Sequence, residues 1–270
     1  MLLVLLAGCP LRPQAPAPPP PAAPPAGVAP HVGTPYDIVP DASLVLILVY
    51  RGGALASAGH NHVIASHDTS GTLYVPADRG LASFELHVPV ATLTVDEAAL
   101  RSQQPGSDFP PDVSEGAKEG TRRNMLGPAL LDAAHYPEIV LRAVRLEATA
   151  AGAGHAAATG SAAGNAGSVV AQVQSTVRDA VRTFAVPVHY SLGGGMLVAC
   201  GEFALRQSEL GLTPFSALLG ALQVQDEMRI SFRISARAAQ PGEATAAQPG
   251  AAGPSPAAAA PEAPCAAPRP

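Results

Sequence analysis

The tetrad Gly59-His60-Asn61-His62 carries the most chemistry per residue in this sequence. Residues two apart share a face of a strand, so His60 and His62 would present two imidazoles to one point in space. Such a pair could ligate a metal if a third or fourth donor came from His67, Asp68 or His87. It could equally form the polar end of a ligand pocket, or hydrogen-bond backbone at the end of a sheet. Arg122 and Arg123 are a second candidate, because guanidinium forks pair well with phosphate. Their competing role is structural, as charge partners of a helix C-terminus and of Glu119, and Arg206 has the same two readings. Catalytic signatures are missing. There is no Gly-x-Ser-x-Gly elbow, no phosphate loop around the single lysine (Lys118), no His-Glu-x-x-His and no Cys-x-x-Cys. Residues 152–157 match a relaxed dinucleotide fingerprint, but inside an Ala/Gly run with no strand–turn–helix context. The expectation is a protein that is not an enzyme, with no cofactor and no resident metal.

The elements that must position these residues are mostly strands. Residues 82–90 alternate cleanly, with Phe84, Leu86 and Val88 opposite Ser83, Glu85 and His87. The same period of two recurs at 138–147 (Ile139, Leu141), 181–190, 197–206 (Phe203, Leu205) and 228–237 (Phe232, Ile234). Half-apolar strands need one dry and one wet face, as in an antiparallel sheet closed on itself. Residues 36–50 contain 44–49, an aliphatic run apolar on both faces. With 54–66, 71–75 and 169–175 the count reaches eight or nine strands. Phe84, Leu86, Ile139, Leu141, Phe203, Leu205, Phe232 and Ile234 should point inward. Only 110–124 reads as a helix, with Asp112, Glu115 and Glu119 early and Arg122 and Arg123 late, as the helix dipole favours. Gly127-Pro128 should stop it, and 129–134 could add one turn. The run 148–168 is too small-chained for a core element and reads as a long hairpin loop.

Composition bounds the rest. Of 29 prolines in 270 residues, eleven fall in 10–35 and eight in 241–270. Both ends therefore read as disordered Ala/Pro-rich tails around one domain at 36–237. A net charge of −5 and a pI near 5.9 argue against a nucleic-acid partner. The run 44–49 is far shorter than the roughly 20 residues a membrane-spanning helix needs. Of the three cysteines, Cys200 reads as a small strand residue rather than half of a bridge, and Cys265 falls in the tail.

The apolar leader ends in Leu6-Ala7-Gly8-Cys9, which resembles the lipobox of bacterial lipoproteins. The resemblance implies cleavage after residues 1–8 and acylation of Cys9, with 9–35 as a Pro/Ala-rich linker and 238–270 as a free tail. A lipid-anchored periplasmic protein is the expectation. Pro10 after the cysteine, in place of Asp, favours the outer membrane in a Gram-negative host.

The order of motifs along 36–237 resembles the YceI-like, lipocalin-type family. The opening Tyr36-Asp37-Ile38-Val39-Pro40-Asp41 is similar to its first strand. Thr121-Arg122-Arg123-Asn124-Met125-Leu126 followed by Tyr136-Pro137-Glu138-Ile139 is similar to its central helix and the strand after it. Gly201-Glu202-Phe203-Ala204-Leu205-Arg206 and Val224-Gln225-Asp226-Glu227-Met228 match its closing strands. The resemblance implies an all-β, eight-stranded antiparallel lipocalin-like barrel with one helical insertion. It also implies non-catalytic binding of an isoprenoid or other long-chain lipid in the cell envelope, and leaves room for a homodimer. Phe84, Leu86, Ile139, Leu141, Phe203, Leu205 and Phe232 would then line a cavity, with His60, His62, Arg123 and Arg206 at its entrance. The alternative is a metal- or redox-linked accessory protein using His60 and His62.

Overall fold

The computed structural model describes residues 27–77, 83–149 and 165–239. The leader, Cys9, most of the Pro/Ala-rich linker, the 152–157 match and the tail with Cys265 lie outside them. Among the described residues there are twelve strands: β1 (Thr34–Ile38), β2 (Leu44–Gly52), β3 (His62–Ser66), β4 (Ser70–Val75), β5 (Ser83–Pro89), β6 (Thr94–Val95), β7 (Glu138–Ala148), β8 (Asn165–Val177), β9 (Ala180–Gly193), β10 (Met196–Arg206), β11 (Ser216–Ala217) and β12 (Leu222–Ala238). Two helices accompany them, α1 (Ala98–Ser102) and α2 (Glu115–Leu126).

Six of the short strands are three long ones broken in the middle. β1 and β2 together pair with β12 along one edge, with β3 and β4 along the other. β5 and β6 continue the sheet from β4 and β3. The ring then runs β7, β8, β9, β10 and β12, and β12 closes it against β1 and β2. The result is an eight-stranded antiparallel barrel, with β11 a short flap on β12. The first break falls at the single turn Pro40–Ala42, where proline withholds a ladder donor. Two serines repair it. Ser235 N–H donates to Ser43 Oγ at 3.1 Å, Ser43 Oγ donates to Val39 O at 2.8 Å, and Ser235 Oγ donates to Ala42 O at 2.8 Å.

One end of the barrel is plugged by side chains. Tyr36, Ile38, Val75, Val169, Ala171, Leu192, Leu197 and Ala236 are buried there in a single cluster. The run 44–49 earns its second apolar face from outside the barrel. Its even-numbered side chains join Val63, Ala65, Leu100 and Phe109 in a separate small core under α1. That helix was not anticipated: five residues are too few to show a helical period.

Other boundaries also moved. α2 begins at Glu115 rather than at 110, because Pro110-Pro111 precede it and Ser114 is the cap, its Oγ accepting Ala117 N–H at 3.3 Å. Residues 53–59 form a turn, not the start of a strand, and β3 begins at His62. Residues 129–134 form hydrogen-bonded turns, not a further helical turn. The strands on either side of the 148–168 run pair as a hairpin, with Ala148 opposite Val169 and β8 starting at Asn165, and the loop expected between them lies mostly outside the described residues. Cys200 is disulfide-bonded, against expectation, and its partner lies outside the described residues.

Candidate functional site

Beyond the packed end the barrel is hollow. A cavity of about 490 Å³ runs from Leu73, Val173, Ala199 and Ile234 towards the opposite mouth. Phe84, Leu86, Ile139, Leu141, Phe203, Leu205, Phe232 and Ile234 all stand on its wall. Alternation puts them there: each belongs to the half of its strand whose neighbours face out. Ile47, Val49, Ile64, Val186, Val188 and Ile230 add further aliphatic wall. The volume lies within the ~300–1,000 Å³ common for small-molecule sites. Ser175 contributes a hydroxyl to this wall, and its Oγ has no partner.

Helix α2 lies over the mouth. Ala117, Thr121, Asn124 and Met125 share one face by the three-to-four residue spacing of a helix, and all four line the cavity. Arg122 Nη2 donates to Ala91 O at 2.5 Å, tying the helix to the turn at Val90–Thr92. Leu131, Met125, Leu93, Val90 and Val177 pack beneath it. The rim is completed by Arg51, His60 and Phe215, which are exposed and also line the cavity.

The polar centre of the mouth is a relay. Asp96 Oδ2 lies 2.6 Å from His62 Nδ1, and His62 Nε2 lies 3.1 Å from Thr121 Oγ1. A carboxylate only accepts, so Nδ1 carries a proton, and in the neutral imidazole Nε2 accepts the Thr121 hydroxyl. Thr121 is thereby left with its oxygen lone pairs free for the cavity. Asp96 also accepts Val63 N–H at 2.8 Å and Arg101 Nη1 at 2.7 Å. Burial pushes the Asp96 carboxyl up, but the His62 hydrogen bond, the Val63 N–H and the Arg101 charge together hold it below the usual carboxylate range. Asp96 sits at φ 54, the left-handed region that Asp and Asn tolerate better than other side chains.

The order carboxylate–imidazole–hydroxyl is also that of nucleophilic hydrolases. Here the hydroxyl sits in the interior of α2, whose N–H groups bond within the helix and cannot form an oxyanion hole beside it. The chain of bonds orients a polar acceptor at the top of an apolar tube. Replacing Thr121 with Val should therefore leave affinity for a bare hydrocarbon chain unchanged. It should weaken binding of a chain bearing a hydroxyl head by about tenfold, the share of one hydrogen bond. Titration calorimetry with an alkane and the matching alcohol measures the split.

The tetrad thus divides its work. His60 stands exposed on the rim, Asn61 is buried and brackets two segments, and His62 enters the relay. Asn61 Oδ1 accepts Arg51 N–H at 2.9 Å and its Nδ2 donates to Asp108 O at 2.9 Å. The metal alternative loses its second ligand, since both His62 ring nitrogens are engaged. His67 is held by Glu97, and His87 by Glu85 and Glu138 on the outer face. Among the described residues no three His, Cys, Asp or Glu side chains gather as a metal site.

Arg123 and Arg206 do not reach the cavity wall. Arg206 follows inward-facing Leu205 and so points outward, and Arg123 is exposed on the solvent side of α2. Arg51 takes the rim position instead, its Nη1 donating to Gly59 O at 2.9 Å. Sequence reasoning missed Arg51, Asp96 and Thr121.

Solved structures similar to this chain include BcnA of Burkholderia cenocepacia, at 13% identity and a TM-score of 0.48, covering 73% of this chain and 98% of that one. A polyisoprenoid binding domain from Saccharophagus degradans, implicated in plant cell wall breakdown, is 11% identical with a TM-score of 0.47, covering 76% and 98%. The YceI protein of Campylobacter jejuni is 8% identical with a TM-score of 0.42, covering 66% and 85%. Its structural neighbours include YceI proteins. The chain matches no protein-family model and no curated protein sequence.

Proposed function

We propose that the protein is a non-catalytic carrier of one long apolar chain, an isoprenoid or another long-chain lipid, held in the barrel with its polar head at Thr121 and His62. The observation that carries this reading is the cavity of about 490 Å³, closed at one end, walled mostly by aliphatic and phenyl side chains, with Arg51, His60 and His62 gathered at its mouth. Each methylene moved from water into such a wall contributes about 0.8 kcal/mol. Selectivity then falls to the few polar groups at the top.

The setting we assign is the bacterial cell envelope, with the barrel in the periplasm and Cys9 acylated in the outer membrane. The lipobox-like Leu6-Ala7-Gly8-Cys9 supports this. So does the disulfide at Cys200, a bond that persists in oxidising compartments.

One measurement addresses both parts. Intact-mass spectrometry of the chain purified from its host's membranes should show Cys9 carrying acyl groups at the new amino terminus. Native spectra should add one non-covalent hydrocarbon ligand that solvent extraction removes. A ligand-free barrel that takes up no prenol or long-chain alcohol would overturn the carrier role. An unmodified amino terminus would overturn the anchor.

A further inference from the structure

Two loops stand beside the cavity mouth and differ from the rest of the surface. The first joins β2 to β3, and the second is the flap β11 with the turn that leads into β12. Ser216 pairs with Gln223 and Ala217 with Leu222, which makes a tight hairpin with Leu218, Leu219 and Gly220 at its tip. Leu218 is 67% exposed and Leu219 is 109% exposed, and both have positive φ, 51° and 55°. Left-handed backbone disfavours any branched side chain, and exposure of leucine to water is unfavourable as well. Both costs fall on the same two residues. Leu55 and Phe215, also exposed, belong to the same rim, and Leu55 N–H donates to Ala221 O at 2.7 Å, fastening the two loops together. Residues 52–59 and 210–225 contain no Asp, Glu, Lys, Arg or His, in a chain that is 14% charged.

We propose that these two uncharged, leucine-tipped loops beside the mouth are a docking surface for a lipid bilayer, through which a hydrocarbon chain passes between membrane and cavity without crossing water. The proposal takes its purpose from the carrier reading above. Three features select a bilayer as the occupant. The two loops together offer four large exposed side chains, Leu55, Phe215, Leu218 and Leu219, too few to supply the ~800 Å² per partner that a stable protein interface buries. The two loops themselves carry no charge into the interfacial layer, and Arg51 and His60 flank them at the rim. Phe215 and Leu222 line the cavity from the same hairpin, so the inserted tip is continuous with the tube.

The test uses the full chain carrying Cys9→Ala, with and without Leu218→Asn/Leu219→Gly. Asn and Gly suit left-handed backbone, so the variant should melt at the same temperature or higher. Flotation with phosphatidylcholine vesicles is expected for the parent, equally at low and high salt, and at least tenfold less for the variant. Both proteins share one amino terminus, so the difference reports the hairpin. Equal flotation of the two proteins overturns the proposal, as does flotation abolished by salt. So does a concentration-dependent dimer that the variant loses, which would make a second copy the occupant. Uptake of N-phenyl-1-naphthylamine into the cavity should match in both proteins. Failure of that uptake alone would count against the carrier and leave docking standing on the flotation result.

Discussion

Replacing Asp96 with Asn is expected to destabilise the barrel by about 3–5 kcal/mol, the range for breaking one partner of a buried ion pair. Asp96 and Arg101 are each 1% exposed, and Asp96 is the counter-charge for a guanidinium that also donates to Asn61 O at 2.8 Å. Asn keeps the size and tolerates the φ of 54°, so the change isolates the charge from the backbone. Urea denaturation compares it with Glu85→Gln, which opens the half-exposed pair to Arg142 at 3.0 Å and should cost about 1 kcal/mol or less. Equal costs for the two would mean that the buried network does not hold α1 to the barrel. The pH dependence has a defined sign. The Asp96 carboxyl titrates lower folded than unfolded, so its contribution is complete above about pH 4 and is lost as pH falls through the folded value. Asp96→Asn should remove that part of the acid slope.

Filling the tube should abolish ligand binding and spare the fold. Ile47 and Ile230 are partners on neighbouring strands and both line the cavity. Ile47→Phe with Ile230→Phe adds two rings to the space a chain would occupy. In a packed core such overpacking costs about 1–3 kcal/mol per site. In a hollow one the rings find room, so the expected change is under about 1 kcal/mol by denaturation, with long-chain binding reduced at least a hundredfold. A large loss of stability together with unchanged binding would show that the wall is already in contact across the barrel.

The inward faces were legible because alternation is a strong signal: within each strand Phe84 predicts Leu86, and Ile139 predicts Leu141, and all four fall on the wall. The doubly apolar run 44–49 signalled that something covers its outer face, without naming α1. The relay was not legible. Asp96 follows a two-residue strand in left-handed backbone, and Arg101 lies in a five-residue helix, so neither carries a periodic signature. His62 stood out by type, yet its partners Asp96 and Thr121 are 34 and 59 residues away, and only the closed fold brings them together. Arg123 and Arg206 were attractive as cations beside the right motifs. Their side-chain direction, fixed by Leu205 facing in and by the solvent face of α2, decided against them.

The packed end gives the barrel a floor, at the level where Val75, Val169, Ala171, Leu192, Leu197 and Ala236 meet. A blind tube behaves as a gauge of thickness and is indifferent to total length. For a chain held as proposed, carbons up to the floor-to-rim depth would be gripped, and any further ones would hang beyond the lip. Among homologous chains, affinity should therefore climb with each added unit and then level off. Ring fusion near the inserted tip would be rejected at any length.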